Sequence, residues 1–217
     1  MSEDPIAFYY WPTPNGYKIA IMLEETGLPY EVHPVNINAR AQFEPAFLKI
    51  SPNNKMPAIV DPDGPDGNEL AIFESGAILQ YIARKSEMFY PTNERKRADV
   101  DQWLFWQVGG LGPMIGQALH FMKYAPEKVP YGIERYAKEV TRLLGVMDKQ
   151  LKNRPYLASD YSIADIASYP WILRANDAGQ TMADFPAIEA WLERVGAKPG
   201  VQRGMALGVD EVCRTTT

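Results

Sequence analysis

A proline stands directly before an apolar run in Met56-Pro57-Ala58-Ile59-Val60-Asp61, and this junction constrains the fold more than any other feature. The run reads as a strand. Proline cannot donate to a sheet ladder, so it belongs at the strand's first position. An Xaa-Pro bond at such a junction can adopt the cis form. A cis bond would turn the N–H and C=O of Met56 outward, where they can grip an extended peptide as an added strand does. Phe73-Glu74-Ser75-Gly76-Ala77-Ile78-Leu79 follows and reads as a strand end running into a helix start. Backbone N–H groups at a helix start, with the helix dipole, favour a carboxylate. Together the two segments would hold a short, acidic, extended peptide by its backbone and one end. Singly, each is an ordinary buried strand or capped helix.

The first part of the chain alternates strands and helices. Ile6–Tyr10 reads as a strand, and a helix follows from about Asn15, with Ile19, Met22 and Leu23 at helical spacing and Gly27 ending it. Tyr30–Val35 is a second strand, residues 36–44 a polar loop, Ala58–Asp61 a third strand and Glu69–Phe73 a fourth. The turn-rich Asp61–Gly67 links the last two, and a helix runs from Ser75 to about Lys85. From Arg95 onward there is no convincing strand, only helices over about 95–120, 130–152, 163–177 and 186–197. The expected division is 1–86 and 95–217, with 87–94 as linker. Pattern alone gives α/β followed by all-α.

Composition narrows the classes. The chain has 217 residues and a formal net charge of −5, and its densest basic cluster is only Arg95-Lys96-Arg97, which argues against nucleic acid. No apolar run reaches the roughly 18 residues of a membrane span. The acidic start Met1–Pro5 is not a signal peptide. The single cysteine, Cys213, excludes an intrachain disulfide and cysteine metal clusters, and His33 and His120 have no metal-ligand company. A cytoplasmic location and no metal are expected.

Pro12–Ile19, Ile50–Pro57, Phe73–Leu79, Gln102–Gln117 and Pro130–Tyr136 carry a resemblance over nearly the whole chain. They resemble the glutathione transferase superfamily, and within it the bacterial nu class of glutathione-dependent disulfide-bond reductases. The resemblance implies a thioredoxin-like α/β domain followed by an all-helical domain, glutathione as cosubstrate, a small-molecule disulfide as partner and a homodimer. By position it implies glutathione contacts from Thr13, Asn15, Gln42, Lys55, the Met56 backbone, Glu74, Ser75 and Arg135. Read without it, Gln42 is a surface amide, Lys55 and Arg135 are surface cations, and Glu74 is a helix-dipole partner.

Thioredoxin-like redox enzymes usually place a cysteine where the first strand hands over to the first helix. Here that link is Trp11-Pro12-Thr13-Pro14-Asn15-Gly16. A protein thiol is therefore excluded at that position, and the nucleophile must come with the substrate. A free thiol has a pKa of about 8.5, and lowering it one unit needs roughly 1.4 kcal/mol of thiolate stabilisation. One charge-assisted hydrogen bond supplies about that. The Thr13 hydroxyl and Asn15 amide can donate it, although both residues also suit plain helix capping. Tyr9 and Tyr10 are rivals, and strand alternation turns one of them into the core.

Ser162-Ile-Ala-Asp165 forms a capping-box pattern, which makes Asp165 a folding residue and not a catalytic acid. Gly109–Gly116 lacks the flanks of a phosphate loop; its small residues would let helices pack closely or make room at the site mouth. Trp103, Phe105 and Trp106 are core rings or dimer contacts, and helical spacing makes at least one of them core. The expected chemistry is glutathione-dependent disulfide reduction without a protein cysteine. Conjugation to electrophiles or hydroperoxide reduction is the alternative enzymatic reading. A non-catalytic regulator on the same fold is the other: Asn15–Lys18 and Glu74–Leu79 also resemble a fungal nitrogen regulator, but that protein carries a long Asn-rich arm that this chain lacks, which favours an enzyme.

Overall fold

Four strands make one mixed sheet in the order β2-β1-β3-β4, where β1 is Ile6–Tyr10, β2 Tyr30–Pro34, β3 Ala58–Asp61 and β4 Leu70–Phe73. The computed structural model describes residues 4–208. β1 and β2 are parallel, while β3 runs antiparallel to both β1 and β4. The register sets Phe8 beside Val32 and Ile59, and Ile59 beside Ile72, so an apolar row crosses the sheet. Alternation along β1 buries Ile6, Phe8 and Tyr10 and leaves Ala7 and Tyr9 half-buried.

Helix α1, Pro14–Thr26, begins where Thr13 caps it and proline takes the first helical position, and it ends at Gly27. Its buried run Ile19-Ala20-Ile21-Met22-Leu23 lies in the core. Pro45–Leu48 forms a short helix α2, preceded by two tight turns at Ile37–Ala39 and Ala41–Phe43, so the expected polar loop is partly ordered. Helix α3, Ser75–Ser86, is fastened to β3 through Asp61, which accepts from the Tyr81 hydroxyl at 2.5 Å and pairs with Lys85 at 2.8 Å.

The second group of elements is helical, as the sequence implies. Helix α4, Glu94–Trp106, continues through a wider π turn at Gln107–Leu111 into α5, Gly112–Leu119, and a second π turn at His120–Tyr124. A Cβ at Gly112 would lie 3.2 Å from Trp171 Nε1 and one at Gly116 3.4 Å from the same ring, so small residues here do admit close packing. Trp103 and Trp106 meet edge to face, with centroids 5.1 Å apart, but neither is fully buried, and Phe105 is exposed. The expected core ring is instead Trp191, with no exposed surface.

Helix α6 spans Pro130–Leu151 and α7 Ile163–Ile172. α7 stops short of the expected 177. Pro170 lies inside it, and after Ile172 the bonds tighten to the three-residue pattern, as in Ala175 N–H to Ile172 C=O at 2.9 Å. The capping box forms as expected. Ser162 accepts from the Ala164 amide, and Asp165 accepts from the Ser162 amide at 3.1 Å. Asp165 also accepts from Leu157 N–H at 3.0 Å and Trp191 Nε1 at 2.8 Å. Burial nevertheless pushes its carboxyl up to about 6.

Helix α8 spans Pro186–Gly196 and α9 Pro199–Ala206. α9 was not foreseen. It lies against α1, and a Cβ at Gly204 would sit 2.6 Å from Ile21 Cα, so glycine there permits the contact. The chain divides into two compact units, one holding residues up to Met88 and from Lys198 on, the other Phe89–Ala197. The sequence-based helical domain ran to the C-terminus, whereas in the structure α9 packs with the sheet-bearing unit because it buries its Gly204 face on α1.

Candidate functional site

The Met56–Pro57 bond is cis, as the sequence allowed. Ser51 anchors the loop before it, its hydroxyl donating to the Lys55 carbonyl at 2.8 Å from a fully buried position. This brings Lys55 and Met56 beside the start of α3. A cleft in the first unit is lined by Asn15, Lys55, Met56, Pro57, Phe73, Glu74 and Ser75. Three segments far apart in sequence thus converge: the start of α1, the turn before β3, and the β4–α3 junction.

Thr13 sits beside this cleft. Its backbone is extended, and its Oγ1 accepts from the Gly16 amide at 3.3 Å, capping α1. The same hydroxyl donates toward Met56 Sδ at 3.6 Å, so its proton already lies on a sulfur. Asn15 is half-buried in the first turn of α1 and faces the cleft.

The tyrosine rivals are differently engaged. Tyr10 is completely buried, and its hydroxyl donates to the Leu207 carbonyl at 2.6 Å. Tyr9 stacks on His33, with centroids 5.0 Å apart, and tilts against Phe47. Burial, and then Glu69, hold its phenol above the ordinary value, which works against a phenolate.

At the α3 end, Glu74 adopts the left-handed region (φ 72°), exposes its carboxylate and accepts from Asn53 Nδ2 at 3.3 Å. Ser75 is the first residue of α3 and only 8% exposed. Its Oγ accepts from Lys18 Nζ at 3.2 Å. Lys18 is 2% exposed, and burial lowers its pKa to about 7 although Glu74 pulls the other way. No role for Lys18 was anticipated. The readable signal was a cation directly preceding the apolar run Ile19–Leu23, with no acid in the first turn of its own helix.

Gln42 lies in the turn Ala41–Phe43 and does not line the cleft; its Oε1 is buried with no hydrogen-bond partner. Arg135 belongs to the other unit. It is exposed on α6 and borders a cleft of that unit with Met114, Tyr136, Lys138, Glu139 and Arg142. Cys213 lies outside the described residues. Among the described residues there is no group of three or more His, Cys, Asp or Glu that could hold a metal, and no helix is long and apolar enough to cross a membrane.

The family models for the Glutathione S-transferase N-terminal domain and C-terminal domain match residues 5–84 and 113–199. The chain belongs to the glutathione S-transferase family. Among its family relatives is the Disulfide-bond oxidoreductase YfcG of Escherichia coli, 50% identical over 204 residues, with 93% of this chain and 94% of the relative covered. A glutathione transferase from Pseudomonas putida, solved with one glutathione disulfide bound per subunit, superposes with TM-score 0.89 at 42% identity, covering 94% of this chain and 91% of that one. A glutathione transferase family member from Pseudomonas fluorescens, solved with two glutathione bound, gives TM-score 0.89 at 45% identity, covering 94% and 93%. The fold is therefore the glutathione transferase one, a thioredoxin-like sheet domain and a helical domain.

Proposed function

We propose that this protein is a glutathione-dependent disulfide-bond reductase of the nu class, a cytoplasmic homodimer that uses bound glutathione and no cysteine of its own. The observation that carries this reading is the cleft that joins a cis-proline turn, the start of α1 and the start of α3, with no cysteine among the described residues that line it. The relatives support it, since one is named a disulfide-bond oxidoreductase and another holds glutathione disulfide.

The roles follow from chemistry at each atom. Thr13 donates to the glutathione sulfur, with Asn15 as the second donor. In the free protein the Thr13 hydroxyl rests on a neutral thioether, a weak acceptor, and a thiolate takes that proton far more strongly. The Met56 backbone holds the peptide as an added strand would. Ser75 and the first amides of α3 hold a carboxylate, and Glu74 accepts from the ligand ammonium. Gln42 has a buried acceptor to satisfy, and Lys55 and Arg135 offset ligand carboxylates.

Bound glutathione thiolate attacks one sulfur of the substrate disulfide, forming a mixed disulfide and expelling the other sulfur as thiolate. A second glutathione thiolate then attacks the glutathione sulfur of the mixed disulfide, giving oxidised glutathione and the second product thiol. Two glutathiones are oxidised for each disulfide reduced. The protein's part is alignment and thiolate stabilisation. The test compares glutathione-dependent reduction of 2-hydroxyethyl disulfide with conjugation to an aryl halide. Faster disulfide reduction supports the reading, and faster conjugation assigns the protein to the conventional transferases.

A further inference from the structure

The side chain of Met56, and not only its backbone, reaches the site. Its sulfur accepts from Thr13 Oγ1 at 3.6 Å. A hydroxyl has one proton to give, and the Thr13 oxygen already accepts from the Gly16 amide at 3.3 Å. Met56 is 9% exposed: it packs with Trp11, Val35, Phe47 and Ala58, and it also lines the cleft. Met22 and Met147, by contrast, have no exposed surface. A thioether is a weak acceptor, so its hold on the Thr13 proton gives way to a thiolate. A methionine sulfoxide is polar, and its oxygen is a far stronger acceptor than the sulfur it stands on.

We propose that Met56 is an oxidation site through which a hydroperoxide slows the disulfide chemistry: as the sulfoxide, its oxygen keeps the Thr13 proton away from the ligand sulfur. The inference rests on the glutathione reading and adds to it a regulation of the same cleft.

A lone pair of Met56 Sδ attacks the terminal oxygen of the hydroperoxide. The S–O bond forms as the O–O bond breaks. The proton on the transferred oxygen passes to the departing one, which leaves as an alcohol, or as water from hydrogen peroxide. Sulfur loses two electrons and the peroxide gains them. Methionine sulfoxide reductases, one for each epimer, return the thioether while two thiols become a disulfide and the oxygen leaves as water. In the oxidised site the new oxygen stands on the sulfur that Thr13 already faces, and an O–H···O bond asks for about 2.8 Å between oxygens. A ligand thiolate then meets Asn15 without Thr13. Losing one charge-assisted bond raises the bound thiol's pKa by about one unit. Below both pKa values the thiolate fraction falls about tenfold. The thiolate that remains is the better nucleophile, with a Brønsted coefficient of about 0.4–0.5, so the rate falls only about threefold.

The test treats the Cys213→Ser protein with hydrogen peroxide, so that no protein thiol reacts, and follows Met56 by peptide mass spectrometry. The peroxide is removed before glutathione is added, and each protein is compared with its own untreated sample. Met56 is expected to gain one oxygen and the bound thiol's pKa, read from thiolate absorbance, to rise about one unit. At pH 6.5, kcat/KM for 2-hydroxyethyl disulfide is expected to fall about threefold. Affinity for S-methyl glutathione is expected to stay the same, since Thr13 acts on the sulfur alone. The two sulfoxide reductases together are expected to restore the untreated values. With Thr13→Ala added, Met56 still oxidises but the pKa does not rise further. With Met56→Leu added, treatment changes neither pKa nor rate. Met56 left unoxidised, an oxidised Met56 with an unchanged pKa, or an equal further rise in Thr13→Ala overturns the proposal. So does an equal loss in Met56→Leu, or S-methyl glutathione weakened as much as the rate. Untreated protein with neither a bound thiolate nor disulfide reduction instead overturns the glutathione reading, and this proposal with it.

Discussion

Asp165 is the most deeply embedded acid in the helical unit, and replacing it separates a folding role from a catalytic one. In Asp165→Ala the amide of Leu157 and the indole N–H of Trp191 lose their acceptor at a buried position, and the capping box opens. Each stranded buried donor costs about 1–3 kcal/mol. The lost cap adds about 0.5–2 kcal/mol. The low ends of these ranges sum to about 2.5 kcal/mol, and the low end applies because removing a buried carboxylate gives some stability back. Urea denaturation at pH 7.5 should therefore show a loss of about 2–3 kcal/mol. The loss should also depend on pH with a definite sign. Burial raises the folded carboxyl to about 6, above its unfolded value. Its contribution is thus greatest at low pH and falls away as pH rises through about 6. The wild-type advantage over Asp165→Ala should be larger at pH 5 than at pH 7.5 by about 1.4 kcal/mol. Disulfide reduction per folded molecule should not change. A variant as stable as wild type, or one that stays folded but loses activity, would refute this account of Asp165.

Thr13→Ala and Asn15→Ala are each expected to raise the apparent pKa of bound glutathione's thiol, by about one unit for a single lost charge-assisted bond, while affinity for S-methyl glutathione stays similar. Thiolate absorbance against pH reads this, and unchanged values in both variants would return attention to Tyr9. Glu74→Ala should weaken glutathione roughly tenfold in calorimetry with an unchanged melting temperature, since its carboxylate is exposed and meets the protein through Asn53. Unchanged affinity in a normally folded protein would remove Glu74 from the site.

Much of the sheet unit was legible because its signals are local. Proline before an apolar run, glycine at a helix end and Thr13 before Pro14 each act within a few residues, and the structure has the cis bond, the α1 end and the α1 cap there. The capping box at Ser162 was legible for the same reason. What escaped depends on partners distant in sequence. Lys18 meets Ser75 across 57 positions, and nothing near Lys18 announces that hydroxyl. α9 is only eight residues long, two of them glycines that its contact with α1 requires, and it is ordered by that contact. The π turns at Gln107–Leu111 and His120–Tyr124 keep helical spacing closely enough for 95–120 to read as one helix. Tyr9 and Tyr10 could be split by alternation only in principle; the Leu207 carbonyl that takes up the Tyr10 hydroxyl lies 197 residues away.

The central claim is that the reacting thiols all belong to glutathione, and the chain's single cysteine makes that directly testable. The measurement is kcat/KM for 2-hydroxyethyl disulfide at saturating glutathione, in wild type and in Cys213→Ser. The account predicts values within about twofold of each other, with one oxidised glutathione formed per disulfide reduced. A folded Cys213→Ser protein whose kcat/KM falls more than about tenfold, roughly 1.4 kcal/mol of barrier, would contradict it and make Cys213 part of the reaction.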